Sequence, residues 1–215
     1  MDIIVNYARL FRDGFITTIE LFLLSGVASL ILGTILAMMR VSPVPVFRAA
    51  GTLYVTLLRN TPLTLVFLFW VFAYPYLEVL SLSYFTAAVV ALTVYTSAFI
   101  CEVIRSGINT VPLGQAEAAR ALGLTFGQSL RQVILPQAVR AVVPPLVSTL
   151  IALLKNTTIA AGFSVAEAGR IRSILSDNGE NQLAGLIWVA LGFLVLVLVL
   201  TMVQRTLERR WSVAQ

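Results

Sequence analysis

The sequence predicts an all-α membrane protein whose chain crosses the bilayer five times. The 215 residues are 59% hydrophobic and only 12% charged, with a mean hydropathy of +0.92, whereas roughly a quarter of the residues in a soluble domain are charged. A membrane-crossing helix needs about 20 mostly apolar residues, and five stretches meet this requirement. They are residues 15–39, 53–74, 84–104, 137–154 and 183–203. We therefore expect one polytopic transmembrane domain over residues 1–215.

Individual stretches carry local signals about their helices. Residues 1–13 form a short amphipathic lead-in to the first stretch, which has the length of a span rather than of a cleavable signal peptide. Ser25, Ser29 and Gly33 lie four residues apart, which favours close packing against another helix; a lipid-facing stripe is the alternative. The fourth stretch is the weakest, because Pro144-Pro145 interrupts it and predicts a kink.

The basic residues predict the orientation of the five helices. Ten of the fifteen lie in the connecting segments of one side, within residues 40–59, 105–140 and 205–210, and five lie on the other side. Connecting segments that are rich in Lys and Arg remain in the cytoplasm. We therefore expect the N-terminus outside, the C-terminus inside, and a cytoplasmic location for the loop at residues 112–136.

This loop is polar and rich in small residues, and its local signals predict two short helices with a bend between them. After Pro112 and Gly114 break the preceding helix, Gln115–Leu122 favours a helix that Gly123 terminates. Thr125 and Gln128 have the spacing of a capping box, so a second helix begins there and runs to Pro136.

The first of these helices has the composition of a docking element. The small side chains of Ala116, Ala118 and Ala119 allow it to enter a groove on a partner, and Glu117 supplies one charge that fixes its orientation. The alternative is an ordinary interfacial helix that only connects the third and fourth spans.

The same loop resembles the signature loop of ABC-importer permeases, whose pattern is EAA, three residues, Gly, nine residues and Ile-x-Leu-Pro. Here the pattern is met by Glu117-Ala118-Ala119, Gly123 and Val133-Ile134-Leu135-Pro136, with Val133 as the one departure. The resemblance implies the type I importer permease fold, with five helices and a cytoplasmic coupling helix that docks on a separate ATPase. Ala116, Glu117, Ala118, Ala119 and Gly123 are then the coupling residues.

The resemblance also implies the partners of the chain. They are two nucleotide-binding ATPase subunits, a second permease chain in a homodimer or heterodimer, an extracellular solute-binding protein and an amino-acid substrate. The chain itself is a multi-pass protein of the plasma membrane and carries no catalytic residues.

Several other functions are disfavoured by what the sequence lacks. No phosphate-binding G-x-x-x-x-G-K-[ST] motif is present, so ATP hydrolysis requires a separate subunit. With no histidine and one cysteine, Cys101, a metal site is not expected, nor is another cofactor. The net charge of +5 is explained by the cytoplasmic loops without a nucleic-acid partner. An ion-driven secondary transporter is the alternative, but the span interiors lack the acidic or histidine relays typical of that class.

Three further stretches narrow the resemblance to the polar amino-acid branch of the family. Residues 59–65 (RNTPLTL), 106–111 (SGINTV) and 155–160 (KNTTIA) are most similar to glutamate-uptake permeases of high-GC Gram-positive bacteria. Many relatives have a glutamine shortly after Thr-Pro-Leu, where this chain has Val66. The resemblance implies L-glutamate as the substrate.

Two polar clusters are the candidates for the substrate path. Lys155, Asn156, Thr157 and Thr158 follow the fourth apolar stretch, where a break would direct the positive end of a half-helix at a carboxylate. Arg59, Asn60 and Thr61 form the second cluster. The alternatives are a Lys155 side chain that reaches the interface from a helix end and an Arg59 that flanks the second span. The charged residues of the outer loop are candidate contacts for a binding protein, with a solvated loop as the alternative; they are Glu167, Arg170, Arg172, Asp177 and Glu180.

Overall fold

The computed structural model describes residues 2–211 and shows the expected all-α architecture. Residues 1 and 212–215, which belong to the expected domain, lie outside the described residues. Within residues 2–211 every regular element is a helix. The main elements are α1 (Asp2–Asn6), α2 (Ala8–Val41), α3 (Pro45–Arg59), α4 (Leu63–Leu68), α5 (Tyr84–Asn109), α6 (Leu113–Ala121), α7 (Phe126–Ser129), α8 (Leu135–Asn156), α9 (Ile171–Asp177) and α10 (Gln182–Trp211).

Four helical segments are long and apolar enough to cross a membrane, and a bent pair supplies a fifth. The four are Ala8–Val41, Tyr84–Asn109, Phe126–Phe163 and Gln182–Arg209. The first begins seven residues before the expected position, because the amphipathic lead-in continues into the same helix. The fourth is not interrupted at Pro144-Pro145, since α8 continues through both prolines.

The second stretch, residues 53–74, is not one continuous helix. Helix α3 ends at Arg59, and the chain bends by 105° before the helical segment Leu63–Leu77 begins. Pro62 explains the break, because it has no N–H to donate and disfavours a helical conformation at Thr61. Beyond α4, the segment continues as a π-helical turn (Phe69–Ala73) and a 3₁₀ turn (Tyr74–Leu77).

Helices α2 and α5 form the centre of the bundle. Ser25, Ser29 and Gly33 are buried on α2, and the Ser29 hydroxyl donates to the Thr93 carbonyl of α5 over 3.3 Å. At Gly33, an added Cβ would lie 2.9 Å from the Ser97 carbonyl oxygen. The small-residue stripe therefore permits close helix packing, as expected.

Three groups of buried side chains hold the remaining helices against this centre. The first joins α2, α4, α5 and α8 around Leu21, Phe67, Leu92 and Leu153. The second joins α2, α3 and α5 around Leu36, Val55 and Ala98. The third packs α9 and α10 against the beginning of the chain through Ala168, Ile171, Leu175 and Val189.

Candidate functional site

The loop between α5 and α8 begins with α6, which ends at Gly123 as its sequence predicts. Gly123 has a φ of 81°, a left-handed conformation that costs a residue with a Cβ about 1–2 kcal/mol. Its N–H donates to the Arg120 carbonyl over 2.9 Å, and the Leu124 N–H donates to the Ala119 carbonyl over 3.1 Å. These two bonds form a Schellman motif, which satisfies carbonyl groups at the end of the helix.

The predicted capping box is also confirmed, but the helix that it starts does not end at Pro136. The Gln128 N–H donates to Thr125 Oγ1 over 3.4 Å, and the Thr125 N–H donates to Gln128 Oε1 over 2.9 Å. Helix α7 then passes through a π-helical turn at Leu130–Ile134 directly into α8. Pro136 lies in the first turn of α8, where its missing N–H is tolerated.

Helix α6 presents a mixed apolar and acidic surface. Glu117 and Ala118 are exposed, and the large apolar side chains of Leu113, Leu122 and Phe126 are each at least 80% exposed. Large exposed apolar side chains within so short a segment favour an interaction site.

Two of the alanines on α6 differ from Ala118 in their exposure. Ala116 is half-buried, and Ala119 is buried against the rest of the chain. The expectation that Ala119 enters a partner's groove is therefore corrected: its role is internal packing beneath the exposed surface.

The segment Lys155–Thr158 is not the helix break that was expected. Helix α8 extends to Asn156 and continues without interruption as a 3₁₀ helix at Thr157–Phe163. The Thr157 hydroxyl donates to the Leu154 carbonyl over 2.7 Å, and the Thr158 hydroxyl donates to the Lys155 carbonyl over 2.8 Å. Because the helix continues, this point has no free helix N-terminus to direct at a carboxylate.

A cavity of about 310 Å³ lies between α5 and α8 and includes one residue of this segment. Asn156 lines the cavity, whereas Lys155 is exposed elsewhere and Thr157 is buried. The remaining wall combines aromatic and polar side chains on the two helices. The lining residues are Tyr95, Thr96, Phe99, Ser148, Thr149, Ala152, Leu153 and Asn156. This volume lies at the lower end of the range for small-molecule sites, about 300–1,000 Å³.

The second predicted cluster lies at the end of α3, beside this cavity. Asn60 and Thr61 donate from their side chains to the Thr56 and Leu57 carbonyls, over 2.7 and 2.8 Å, and so satisfy the end of the helix. The Arg59 guanidinium instead lies over the ring of Phe99, 5.7 Å from its centroid. Of the three residues, Arg59 is therefore the one placed to act on the cavity.

Glu102 is the centre of a charge cluster that joins three helices. It pairs with Arg40 at the end of α2, with Arg105 on its own helix at 3.2 Å, and with Arg59 at the end of α3 at 3.8 Å. Arg40 is the most buried of these arginines, with 12% of its side chain exposed, and Arg59 is the most exposed, at 46%. Arg59 is thus the loosest member of the cluster.

Glu102 and the α5 wall of the cavity were not predicted from the sequence. Tyr95, Phe99 and Glu102 have the spacing of one helical face, four and then three residues apart. That spacing was a usable signal, but the apolar residues between them made the stretch appear to be an ordinary span.

Comparison with known proteins identifies the fold and the family. A family model described as "Binding-protein-dependent transport system inner membrane component" matches residues 29–213. The glutamate transport system permease protein GluC of Corynebacterium efficiens is 48% identical over 196 residues, which cover 86% of each chain. The probable glutamine ABC transporter permease protein GlnM of Bacillus subtilis is 36% identical over 210 residues, covering 98% of this chain and 97% of the relative.

A solved structure has the same fold over nearly its whole length. The crystal structure of an amino acid ABC transporter with histidines is similar to this chain with a TM-score of 0.90 and 31% identity, and the match covers 96% of both chains. The type I permease fold that the loop motif implied is therefore confirmed.

Family membership also fixes the general role of the chain and its location. It is a transport component of an ABC importer in the inner membrane, and ATP hydrolysis belongs to a separate subunit. An ATPase subunit and a substrate-binding protein are the partners that the family implies. The chain belongs to the binding-protein-dependent transport system inner membrane components, the permease subunits of ABC importers.

Proposed function

We propose that this permease carries L-glutamate inward by alternating access between the two sides of the membrane. The observation that carries the proposal is the Arg59 guanidinium on Phe99, at the edge of an amino-acid-sized cavity that Asn156 also lines. A second carboxylate distinguishes glutamate from neutral amino acids, and a guanidinium can bind a carboxylate through two hydrogen bonds. The glutamate transport protein GluC, 48% identical, supports the same substrate.

The orientation of the permease follows from its basic residues and is part of the proposal. The N-terminus lies outside, the C-terminus lies in the cytoplasm, and the loop at residues 112–136 faces the ATPase. Glu117, Ala116 and Ala118 contact the ATPase directly, and Gly123 allows the bend that follows α6. The exposed Leu113, Leu122 and Phe126 support this docking role, because a partner protein would cover them.

The assembly that we propose contains a second permease chain, either a copy of this one or a similar subunit. Two ATPase subunits bind the coupling loops, and a solute-binding protein delivers glutamate from outside. Closure of the ATPase pair pulls on α6, and the movement passes through α5 and α8 to the cavity between them. Ion-driven transport without an ATPase is not favoured, since the family is ATP-driven.

Uptake of radiolabelled glutamate tests the substrate. The complete complex is reconstituted into proteoliposomes with ATP inside, and unlabelled glutamate, aspartate, glutamine and arginine compete for uptake. We expect only the acidic amino acids to compete strongly, and Arg59→Gln to lower uptake. Arg12→Gln is the matched control, because Arg12 is exposed and pairs with its exposed neighbour Asp13. Strong competition by glutamine or arginine with weak competition by glutamate contradicts the assignment.

Co-purification of the ATPase tests the coupling surface. Glu117→Lys reverses the one acidic charge on α6, and we expect it to weaken retention of the ATPase and to abolish uptake while membrane insertion remains normal. Asp177→Lys is the control for ATPase retention, since Asp177 is an exposed acidic residue on α9, away from the coupling loop in the sequence. Normal ATPase retention and uptake in the Glu117→Lys complex rule out the coupling role.

A further inference from the structure

Five polar side chains and the ring of Phe99 form a stripe along the facing sides of α3 and α5. On α3 it contains Arg48, Thr52 and Arg59, whose separations of four and seven residues place them on one helical face. On α5 it contains Phe99, Glu102 and Arg105, which are each three residues apart. We call these six residues the α3–α5 polar stripe.

The stripe connects the cavity to a second opening in the chain. Phe99 forms part of the cavity wall, and Arg59 lies over its ring and 3.8 Å from Glu102. Beyond Glu102, Arg48 and Arg105 line an open groove of about 670 Å³ with Thr52. A small molecule that leaves the cavity past Phe99 therefore meets guanidinium groups along the whole stripe.

The stripe has more positive charge than its own carboxylate can neutralise. Arg40, Arg59 and Arg105 share Glu102, so one acidic group serves three cations. Arg48, the fourth arginine here, contacts the Ser42 carbonyl at 3.5 Å and has no carboxylate within ion-pair distance in residues 2–211. This excess attracts an anion that enters the groove.

The three ion pairs of Glu102 differ in length and in exposure, and these differences indicate which pair can open. Arg40 is nearly buried and held closely, whereas Arg59 is the most exposed and the most distant of the three. An exposed pair of this length contributes little energy. A second carboxylate near Phe99 can therefore replace Glu102 as the partner of Arg59 without breaking the Arg40 pair.

We propose that the α3–α5 polar stripe is the release track for a substrate with a side-chain carboxylate, and that Glu102 is a positioning residue that competes with this carboxylate for Arg59. While the substrate is bound, its carboxylate holds Arg59. When Arg59 returns to Glu102, the substrate is freed toward Arg105 and Arg48 and leaves through the groove. The inference rests on the proposed transport of glutamate. It assigns the selectivity for acidic amino acids to Arg59 and Glu102, which do not line the cavity.

The test measures glutamate and glutamine binding, because the two ligands differ by one charge at nearly equal size. The permease–ATPase complex is placed in phosphatidylcholine nanodiscs without the binding protein, so that only the permease can select. We expect Glu102→Gln to tighten glutamate binding about threefold, which corresponds to about 0.65 kcal/mol, and to leave glutamine binding unchanged. In the complete transporter the same variant should lower the maximal uptake rate, since Arg59 releases the substrate slowly.

Two further variants separate this role from a structural one. Glu102→Asp keeps the charge and should retain the wild-type ratio of glutamate to glutamine affinity. The double variant Glu102→Gln with Arg59→Gln should bind glutamate as Arg59→Gln alone does, because Glu102 acts through Arg59. ATPase retention and thermal stability show whether each variant is assembled. If Glu102→Gln is not assembled, the ratios of glutamate to glutamine affinity in Glu102→Asp and Arg59→Gln still decide the outcome.

Three binding results would contradict the release track or the proposed substrate. Equal effects of Glu102→Gln on both ligands overturn the release track. If the wild-type complex binds glutamine but not glutamate, the proposed substrate fails instead. Glutamate binding that is normal in the wild type and unchanged in Glu102→Gln refutes the track alone.

Discussion

The Thr18 hydroxyl of α2 lies 3.1 Å from Glu167 Oε2, which joins the first spanning helix to the segment that follows the fourth. The Thr18 oxygen also lies 3.0 Å from the Gly14 carbonyl oxygen and accepts a hydrogen bond from the Ala168 N–H over 3.1 Å. A hydroxyl has a single hydrogen to donate. Thr18 therefore donates either to the Gly14 carbonyl or to Glu167 Oε2.

This relationship corrects the expectation that Glu167 contacts a binding protein. Only 1% of Glu167 is exposed, and it lies outside the spanning segments, between Phe163 and α9. Burial raises the pKa of Glu167 from 4.5 to about 7 and outweighs the opposite effect of the Thr18 hydrogen bond. The buried Glu167 carboxyl thus anchors this segment to α2 through Thr18.

Glu167 predicts a stability that falls as the pH rises. Because its folded pKa of about 7 is above the unfolded value of 4.5, its contribution is complete below pH 4.5 and is lost as the pH rises through 7. The difference is on the order of 3 kcal/mol. Glu167→Gln keeps a neutral side chain, so the variant should be more stable than the wild type at pH 8 and should lack this pH dependence. Thermal unfolding in detergent between pH 5 and 8 measures both; parallel curves for the two proteins contradict the prediction.

Gly33 should tolerate no side chain, whereas Gly26 on the same helix should. A Cβ at Gly33 would lie 2.8 Å from Ile100 Cβ and 2.9 Å from the Ser97 carbonyl oxygen, so α2 and α5 must separate. At Gly26 the nearest atom is 3.6 Å away, an ordinary contact. We expect Gly33→Ala to lower the free energy of unfolding by about 1–3 kcal/mol. Unfolding of the two variants in detergent provides the comparison, and equal losses would mean that close packing at Gly33 is unimportant.

Gly123 and Gly127 should respond to alanine with opposite signs. Both positions have open space around them, but only Gly123 has a positive φ. Gly123→Ala should destabilise the end of α6 by about 1–2 kcal/mol. Gly127→Ala lies inside α7 and should stabilise it by roughly 0.5–1 kcal/mol. Amide hydrogen exchange over residues 113–129 reports both effects, and faster exchange in both variants would contradict the role of the left-handed conformation.

The Tyr54 hydroxyl should contribute to the attachment of α3 to α5. It donates to the Val94 carbonyl over 2.9 Å and lies 3.0 Å from the Ser97 hydroxyl. Tyr54→Phe should therefore cost about 1 kcal/mol of stability. Tyr84→Phe is the control, because Tyr84 is exposed and its hydroxyl has no hydrogen-bond partner in the described part of the chain. The prediction fails if the two variants melt at the same temperature.

The sequence by itself determined the membrane class of this protein and the local boundaries of two helices. The membrane class follows from composition and helix length, the end of α6 from Gly123, and the start of α7 from Thr125 and Gln128. Each of these depends on residues within a few positions of one another, so no distant partner is required. The motif in the same loop was sufficient to identify the family.

The tertiary structure decided how the polar residues are grouped and which helices continue. Arg40, Arg59 and Arg105 meet at Glu102 only because α2, α3 and α5 converge there, and Glu167 is buried only because α2 covers it. Helices also continue at Pro136 and Pro144-Pro145, where local signals predicted an end and an interruption. The physical reason is common to these cases: charge pairing, burial and helix continuation depend on groups that are far apart in the chain.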